Sequence, residues 1–310
     1  MKRKMLNVPK GGYDGMKGFT IVEFLVAGLL SVIVLIAVVS SYFTSRKLND
    51  AANERLAIQQ DLRNAATLIV RDARMAGSFG CFNMSEHIER DVVSDVTQKK
   101  PLFSLKRNSI NKLIPIAESS NIGYQGFTQR LNALIFQYGI DDANASAETT
   151  VVSSCGAISK PGKQIPTLED AKKELKIQNS SKEQNGNIAR QRHVVNAYAV
   201  GKIADEEGLF RFQLDDKDKW GNPQLLAKKV KRMDVRYIYV SGCSEDEDAG
   251  KEEQFKYTDK FDSSVTPAGV EVLLDSGSDA KIAASSDNII YAYRINATIR
   301  GGNVCANRTL

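Results

Sequence analysis

A single carboxylate, Glu23, lies in an apolar stretch that is otherwise uncharged. The stretch runs for 25 residues, from Phe19 to Phe43, and contains no proline. An ionised side chain at the centre of a membrane helix costs about 3 kcal/mol unless a partner neutralises it. The preceding segment is basic and ends in Lys17 and Gly18. A newly exposed α-amino group at Phe19 of a neighbouring subunit would be such a partner. Glu23 is therefore a candidate functional residue.

Four cysteines are spread along the chain, at Cys81, Cys155, Cys243 and Cys305. They form no CxxC pair, and the chain has only two histidines, so the sequence predicts no zinc site. Well-separated cysteines are typical of disulfides in an oxidising compartment. Three pairings are conceivable, and the simplest joins neighbours in sequence, Cys81 with Cys155 and Cys243 with Cys305. Free buried cysteines in a cytosolic protein remain the alternative.

The segment Asp215–Asn222 carries carboxylates at the spacing of a calcium-binding loop. With Asp216 at the first position of such a loop, Asp218 falls at the third. Ala227, however, occupies the last position, where a bidentate acid is required. A tight turn between strands is therefore favoured over a metal site. The acidic run at 245–248 is interpreted as a solvated loop.

No catalytic signature is present in the sequence. It lacks a phosphate-binding P-loop, a GxSxG nucleophile motif, an HExxH zinc motif and a GxGxxG motif placed after a strand. His87 and His193 stand alone, and a structural role is favoured for His193. Arg71, Arg74 and Arg90 are interpreted as surface pairing or helix-capping groups. We therefore expect neither enzymatic activity nor a cofactor or metal.

The apolar stretch that carries Glu23 is long enough for a membrane helix. At about 1.5 Å per residue it would extend about 37 Å, which is enough to cross a hydrocarbon core of about 30 Å. The charged residues before it are basic except Asp14, which predicts a cytoplasmic N-terminus and an outer location for everything after Phe43. They also supply most of the net charge of +5, so the charge gives no reason to expect nucleic-acid binding. A secretory signal peptide, the alternative, would have a shorter apolar core.

An amphipathic segment, 44–76, continues this helix. Its apolar residues recur at steps of three, four or seven and form one stripe: Leu48, Ala51, Ile58, Leu62, Ala65, Ile69, Ala73 and Ala76. Most charged residues, Asp72 among them, are placed off the stripe, and Gly77 is the expected stop. The sequence thus predicts one helix of more than 50 residues whose outer half packs on the downstream domain. A soluble coiled coil is the alternative.

Beyond residue 77 the pattern changes to loops and short strands. Candidate strands are Leu131–Tyr138, His193–Val200, Leu209–Leu214, Arg232–Val240, Val270–Leu274 and Asn288–Ile299. A short helix is predicted over Thr167–Gln178 with Thr167 as its N-cap. Polar loops are predicted over Asp141–Thr150, Asn179–Gln191 and Ser244–Gln254. The predicted class is α+β, a long N-terminal helix packed on an antiparallel sheet.

The run GFTIVE, Gly18 to Glu23, resembles the type III signal of type IV prepilins and pseudopilins. In that family a prepilin peptidase cuts after the glycine and N-methylates the new first residue, which here would be Phe19. The family's glutamate pairs with a neighbour's N-terminal amine during assembly, in agreement with the role expected for Glu23. The run Arg71–Cys81 is similar to the corresponding segment of the PilW family of minor pilins. Met16 is an alternative start that leaves the cleavage site unchanged.

The resemblance implies a pilin-like fold with four parts: a cleaved leader (1–18), a transmembrane half-helix (19–43), an amphipathic periplasmic half-helix (44–76) and a globular domain (77–310). It implies a single-pass inner-membrane protein that later joins the pilus at the cell surface. The expected role is that of a minor pilin, which forms an initiation complex with other minor pilins at the inner-membrane assembly platform and primes the major pilin. The alternatives are a minor pseudopilin of a type II secretion system and a tip adhesin or DNA-uptake pilin.

Overall fold

The computed structural model describes residues 18, 20–93, 112–177, 187–241, 254–275 and 293–299. Its longest element is helix α1, which runs for 55 residues from Ile21 to Met75. The helix ends just before Gly77, which adopts a φ of 79° that is accessible to glycine at little cost. The prediction of one long helix that stops at Gly77 is confirmed. The chain divides inside this helix into two compact units, Met1–Ala57 and Ile58–Leu310.

Among its described residues, the second unit contains one further helix, α2, at Leu168–Glu174, and two 3-10 turns at Met84–Glu86 and Glu89–Asp91. Its described strands are β1 Ser78–Phe79, β2 Phe82–Asn83, β3 Val92–Val93, β4 Ile116–Ser119, β5 Phe127–Gln129, β6 Ala133–Ile140, β7 Thr150–Ser153, β8 Ile158–Ser159, β9 Ala189–Ile203, β10 Glu206–Leu214, β11 Trp220–Lys228, β12 Arg232–Ser241, β13 Gln254–Thr258, β14 Gly269–Asp275 and β15 Tyr293–Thr298.

These strands form two main sheets. The larger sheet has the order β11-β10-β9-β7-β8-β3, with β5 and β6 also paired to β9 and β4 paired to β6. The fifteen residues of β9 accept several partners in succession, because different parts of this strand pair with β7, β6 and β5. The smaller sheet has the order β13-β12-β14-β15 and is antiparallel throughout. Only the β3–β8 pairing is parallel among the described strands. The α+β class is confirmed.

The main core lies between the second half of helix α1 and both sheets. The helix contributes four buried apolar residues, Leu62, Ala65, Ile69 and Ala73, and Ala76 follows directly after its end. The larger sheet contributes Phe136 and Tyr198 among others, and the smaller sheet contributes Tyr237 and Val272. The predicted apolar stripe is thus covered from Leu62 onward. The prediction that the downstream domain also covers Leu48 and Ala51 is wrong. Both residues lie in the first unit, where every helical residue is exposed.

The opposite face of the larger sheet carries a second core. Strand alternation assigns Leu134 and Phe136 of β6 to the main core, and Ala133 and Ile135 to the second core. Phe212 of β10 packs there against rings from the segment 122–127. Both faces of β6 are therefore buried, which explains why its first four residues, 133–136, are all apolar.

The six predicted strands correspond to β6, β9, β10, β12, β14 and β15, although their ends differ. The predicted loop Asn179–Gln191 is wrong from Ala189, because residues 189–191 pair with β7. Helix α2 is shorter than predicted, but Thr167 is its N-cap and accepts a hydrogen bond from the amide of Asp170. The predicted loop at 244–254 lies outside the described residues, except for Gln254, which begins β13. Residues 288–292 of the last predicted strand also lie outside them.

Candidate assembly site

Thr20 and Glu23 form a reciprocal cap at the N-terminus of helix α1. The carboxylate atom Oε2 of Glu23 accepts hydrogen bonds from the amide and the hydroxyl of Thr20, both at 3.0 Å. In return, the amide of Glu23 donates to the Thr20 hydroxyl at 3.3 Å. This is a capping box, in which a threonine and a glutamate three residues later satisfy donors that the first helical turn leaves free. The carboxylate also lies at the positive end of the helix dipole.

The cap changes the electrostatic argument for Glu23. Its carboxylate is already partnered within its own chain, although the side chain is fully exposed. Both hydrogen bonds end on Oε2, and none from the described residues ends on Oε1. The spacing Thr-x-x-Glu is the sequence signal that would have predicted this cap. Gly18 is exposed, and Phe19 lies outside the described residues.

The helix that carries Glu23 is long and apolar enough to cross a membrane, and no residue of its most apolar part is buried. Large side chains from Ile21 to Phe43 are exposed, including Phe24 and Leu35. The hydroxyl of Ser31 donates to the backbone carbonyl of Ala27 at 2.8 Å, which satisfies this polar group inside the helix. Intrahelical satisfaction of polar groups is what a membrane interior requires. This is the one candidate span among the described residues.

A disulfide joins Cys81 to Cys155, as the simplest pairing predicted. It ties the segment after helix α1 to the connection between β7 and β8. The hydroxyl of Ser153 donates to the carbonyl of Phe79 at 2.6 Å and links the same two segments. Cys243 and Cys305 lie outside the described residues.

Sequence reasoning missed the buried carboxylate of Asp72 on helix α1. Its exposed fraction is 0%, and its oxygens accept hydrogen bonds from side chains of three strands. These donors are the hydroxyl of Tyr138 (2.9 Å), the side-chain amide of Asn196 (2.9 Å), the hydroxyl of Tyr198 (2.7 Å) and the guanidinium of Arg211 (3.2 Å). The guanidinium of Arg71, on the helix itself, also donates to Oδ1 at 3.3 Å. No local sequence signal reveals donors that lie 66 to 139 residues away.

The surroundings of Asp72 keep the two tyrosines protonated. Burial, followed by the negative charge of Asp72, raises the pKa of Tyr138 to about 12. The same causes raise the pKa of Tyr198. Both phenols therefore act as hydrogen-bond donors to the carboxylate over the whole physiological pH range.

The remaining sequence candidates have structural explanations. His193 is buried, and its Nε2 lies 3.1 Å from Oε1 of Gln137. Asp215 organises the turn between β10 and β11, since its Oδ1 accepts from the amides of Lys217 (2.9 Å) and Lys219 (2.8 Å). The expected turn is thus present. Within the described residues no cluster of three or more His, Cys, Asp or Glu side chains could hold a metal ion.

Comparison with known proteins adds no relative. No family model matches the chain, and no curated protein matches it.

Proposed function

We propose that this chain is a minor pilin of a type IV pilus, made as a prepilin, anchored in the inner membrane by helix α1 and incorporated with other minor pilins in the complex that initiates the filament. The observation that carries this proposal is the position of Glu23 in the first turn of an exposed apolar helix. A structural subunit, and not an enzyme, fits a chain with these features.

The residues at the N-terminus of helix α1 support the proposal that the chain is cleaved and joins the filament at this end of the helix. Gly18 is exposed, as a peptidase requires of its cleavage site. Cleavage after it would leave Thr20 as the second residue of the mature chain, directly beside the new amine. The cap uses Oε2, and the side chain is exposed, so a neighbour's amine could bind at Oε1. A charge-assisted hydrogen bond of this kind is stronger than a neutral one.

The second unit supports an outer location. The Cys81–Cys155 disulfide requires an oxidising compartment, which in a single-pass protein with a basic N-terminal segment is the periplasm. The exposed apolar surface from Ile21 to Phe43 would face lipid before assembly and other pilin helices afterwards.

Mass spectrometry of the native protein from membranes tests the processing step. We expect the mature chain to begin with N-methylated Phe19. A Gly18→Val variant should retain the leader and serves as the matched control. A native chain that still carries residues 1–18 without methylation would overturn the proposal.

A count of surface pili tests the assembly role. With pilus retraction disabled, a deletion strain should assemble few pili, and the intact gene should restore them. Normal pilus numbers with lost binding would instead indicate a tip adhesin or DNA-uptake pilin. Normal pili with blocked protein secretion would indicate a type II pseudopilin.

A further inference from the structure

The loop between β6 and β7, residues 141–149, contains an acceptor sequence for N-linked glycosylation, which the proposed function does not use. Such a sequence has the form Asn-x-Ser/Thr with x other than proline, and here it is Asn144-Ala145-Ser146. The longer form that bacterial oligosaccharyltransferases use also has an acid two residues before the asparagine. Asp142 occupies that position, so the loop matches the longer form at every specified residue.

The chain contains four further Asn-x-Ser/Thr sequences, and none of them has an acid two residues before its asparagine. They begin at Asn83, Asn179, Asn296 and Asn307, and the preceding residues at that distance are Cys81, Ile177, Arg294 and Cys305. Asn179 and Asn307 lie outside the described residues. The sequence therefore distinguishes the β6–β7 loop from every other acceptor sequence in the chain.

The structure presents Asn144 at the corner of an exposed turn. The amide of Ala145 donates to the carbonyl of Asp142 at 3.3 Å, so Ala143 and Asn144 are the central residues of a β-turn. Asn144 and Ser146 are both exposed. No hydrogen bond from a described residue engages the side-chain amide of Asn144. Its nitrogen, Nδ2, is therefore accessible to an enzyme.

Asp142 is held only weakly in the folded loop. Its Oδ1 accepts from the backbone amide of Asn144 at 2.9 Å, and its Oδ2 lies 3.6 Å from Nη1 of Arg192. The side chains of this ion pair are 27% and 34% exposed. Partly exposed pairs of this kind contribute little to stability. An enzyme that binds the loop can therefore replace Arg192 as the partner of the acid.

The fold holds the other two acceptor sequences of the described part of the chain, which begin at Asn83 and Asn296. Their middle residues, Met84 and Ala297, are buried in a core. Asn83 also donates through Nδ2 to Glu86 at 2.6 Å, and Asn296 lies within strand β15. Neither sequence can enter an enzyme's active site without the loss of folded contacts. In the β6–β7 loop the middle residue is not buried.

We propose that Asn144 is an N-glycosylation site whose donor is an oligosaccharide linked to a polyprenyl diphosphate. Nδ2 of Asn144 forms a bond to the anomeric carbon of the first sugar, and the bond between that carbon and the diphosphate oxygen breaks. The polyprenyl diphosphate leaves, and Nδ2 loses one proton to a base of the transferase. No oxidant or reductant is required. The proposal rests on the outer location of the second unit, which it shares with the proposed function, but it does not require that the chain joins a pilus.

Tandem mass spectrometry of the full chain, isolated from its own host, tests the proposal. After reduction, trypsin releases residues 131–163 as one peptide, in which Asn144 begins the only acceptor sequence. We expect this peptide to carry a glycan in the wild type and to lack it in Asn144→Gln and in Ser146→Ala. Ser146→Thr should retain the glycan, because either hydroxyl completes the acceptor sequence. The matched control, Asn296→Gln, changes another exposed asparagine and should also retain it.

A wild-type peptide 131–163 without a glycan would overturn the proposal, and so would a glycan that persists in Asn144→Gln or Ser146→Ala. The same spectra report the N-terminus of the chain. An unmodified Asn144 in a chain that begins with methylated Phe19 would overturn this inference alone. A chain that carries the glycan on Asn144 and retains residues 1–18 would support this inference and overturn the pilin proposal.

Discussion

At the scale of single residues, the proposed function gives Glu23 two tasks that depend on different oxygens. Oε2 closes the cap with Thr20, and Oε1 would accept from the incoming amine. A substitution at Glu23 removes both, whereas a substitution at Thr20 removes only the two cap hydrogen bonds that involve its hydroxyl. The two positions therefore form a matched pair that separates helix capping from assembly.

We expect Glu23→Ala to leave cleavage after Gly18 intact and to reduce incorporation into pili about tenfold or more. A tenfold reduction corresponds to a loss of about 1.4 kcal/mol in the free energy of subunit association. Thr20→Val should be processed and incorporated at nearly the wild-type level, because it retains the carboxylate. Immunoblots of sheared pili and of membranes measure both steps. Equal losses in the two variants would show that the cap, and not the free carboxylate oxygen, is required.

His193 makes the stability of the second unit depend on pH. Burial lowers the pKa of His193 to about 3, so its imidazole is neutral in the folded protein. The unfolded imidazole titrates near a pH of about 6.5. Between these values the unfolded chain binds a proton that the folded chain does not. The free energy of unfolding therefore falls as the pH falls from about 6.5 towards about 3.

A His193→Gln variant should lose this contribution, which reaches about 1.4 kcal/mol per pH unit below the unfolded pKa. Urea unfolding between pH 7 and pH 5 measures it, and this window avoids most carboxylate titration. The control is His87→Gln, at a partly exposed histidine that lies 3.1 Å from Asp91. The same pH slope in His193→Gln and wild type would contradict the prediction.

At the scale of elements, the disulfide holds the segment after helix α1 to the β7–β8 connection. Cys81 and Cys155 are separated by 74 residues in sequence, so the bond constrains a long loop of the unfolded chain. Replacing both with serine should lower the free energy of unfolding by about 4 kcal/mol. Urea unfolding under oxidising conditions measures the change. Cys155→Ser alone should be equally destabilised, and wild-type stability in either variant would refute the constraint.

The strands show which elements a sequence can reveal. β6, β9, β10, β12 and β14 were predicted because their residues are mostly apolar or alternate regularly. β11 was missed because its start, Trp220 to Pro223, has the residues of a turn. β13 was missed because it is an edge strand whose residues are mostly exposed, so burial imposes no alternation on it. Edge position is set by tertiary contacts that the local sequence does not contain.

Asp72 shows the same limit within a helix. The helical period placed it beside the stripe, next to Ala73, where an acidic residue is normally solvated. Its burial depends on Tyr138, Asn196, Tyr198 and Arg211, which three strands bring together. Glu23, in contrast, could be singled out from sequence because its exceptional feature is local: one charge in an apolar stretch.

At the scale of the whole molecule, helix α1 belongs to two compact units whose boundary lies between Ala57 and Ile58. The length of the helix and its stop were predicted, because both depend on local pattern. The residue at which the sheets begin to cover the helix was not predicted. All four buried apolar residues that the helix supplies to the main core lie after this boundary.

This boundary predicts where the chain can be shortened. A fragment 58–310 retains every helix residue of the main core, and we expect it to be soluble and to unfold cooperatively. A fragment 77–310 lacks Leu62 and Ile69, each worth about 2 kcal/mol in burial, and exposes the apolar faces of both sheets. Since domains are stable by only about 5–15 kcal/mol, this second fragment should aggregate or lack a thermal transition. Circular dichroism melts of the two fragments measure the difference. A cooperative transition in 77–310 would show that the sheets fold without the helix, and its absence in 58–310 would show that residues before Ile58 are needed for folding.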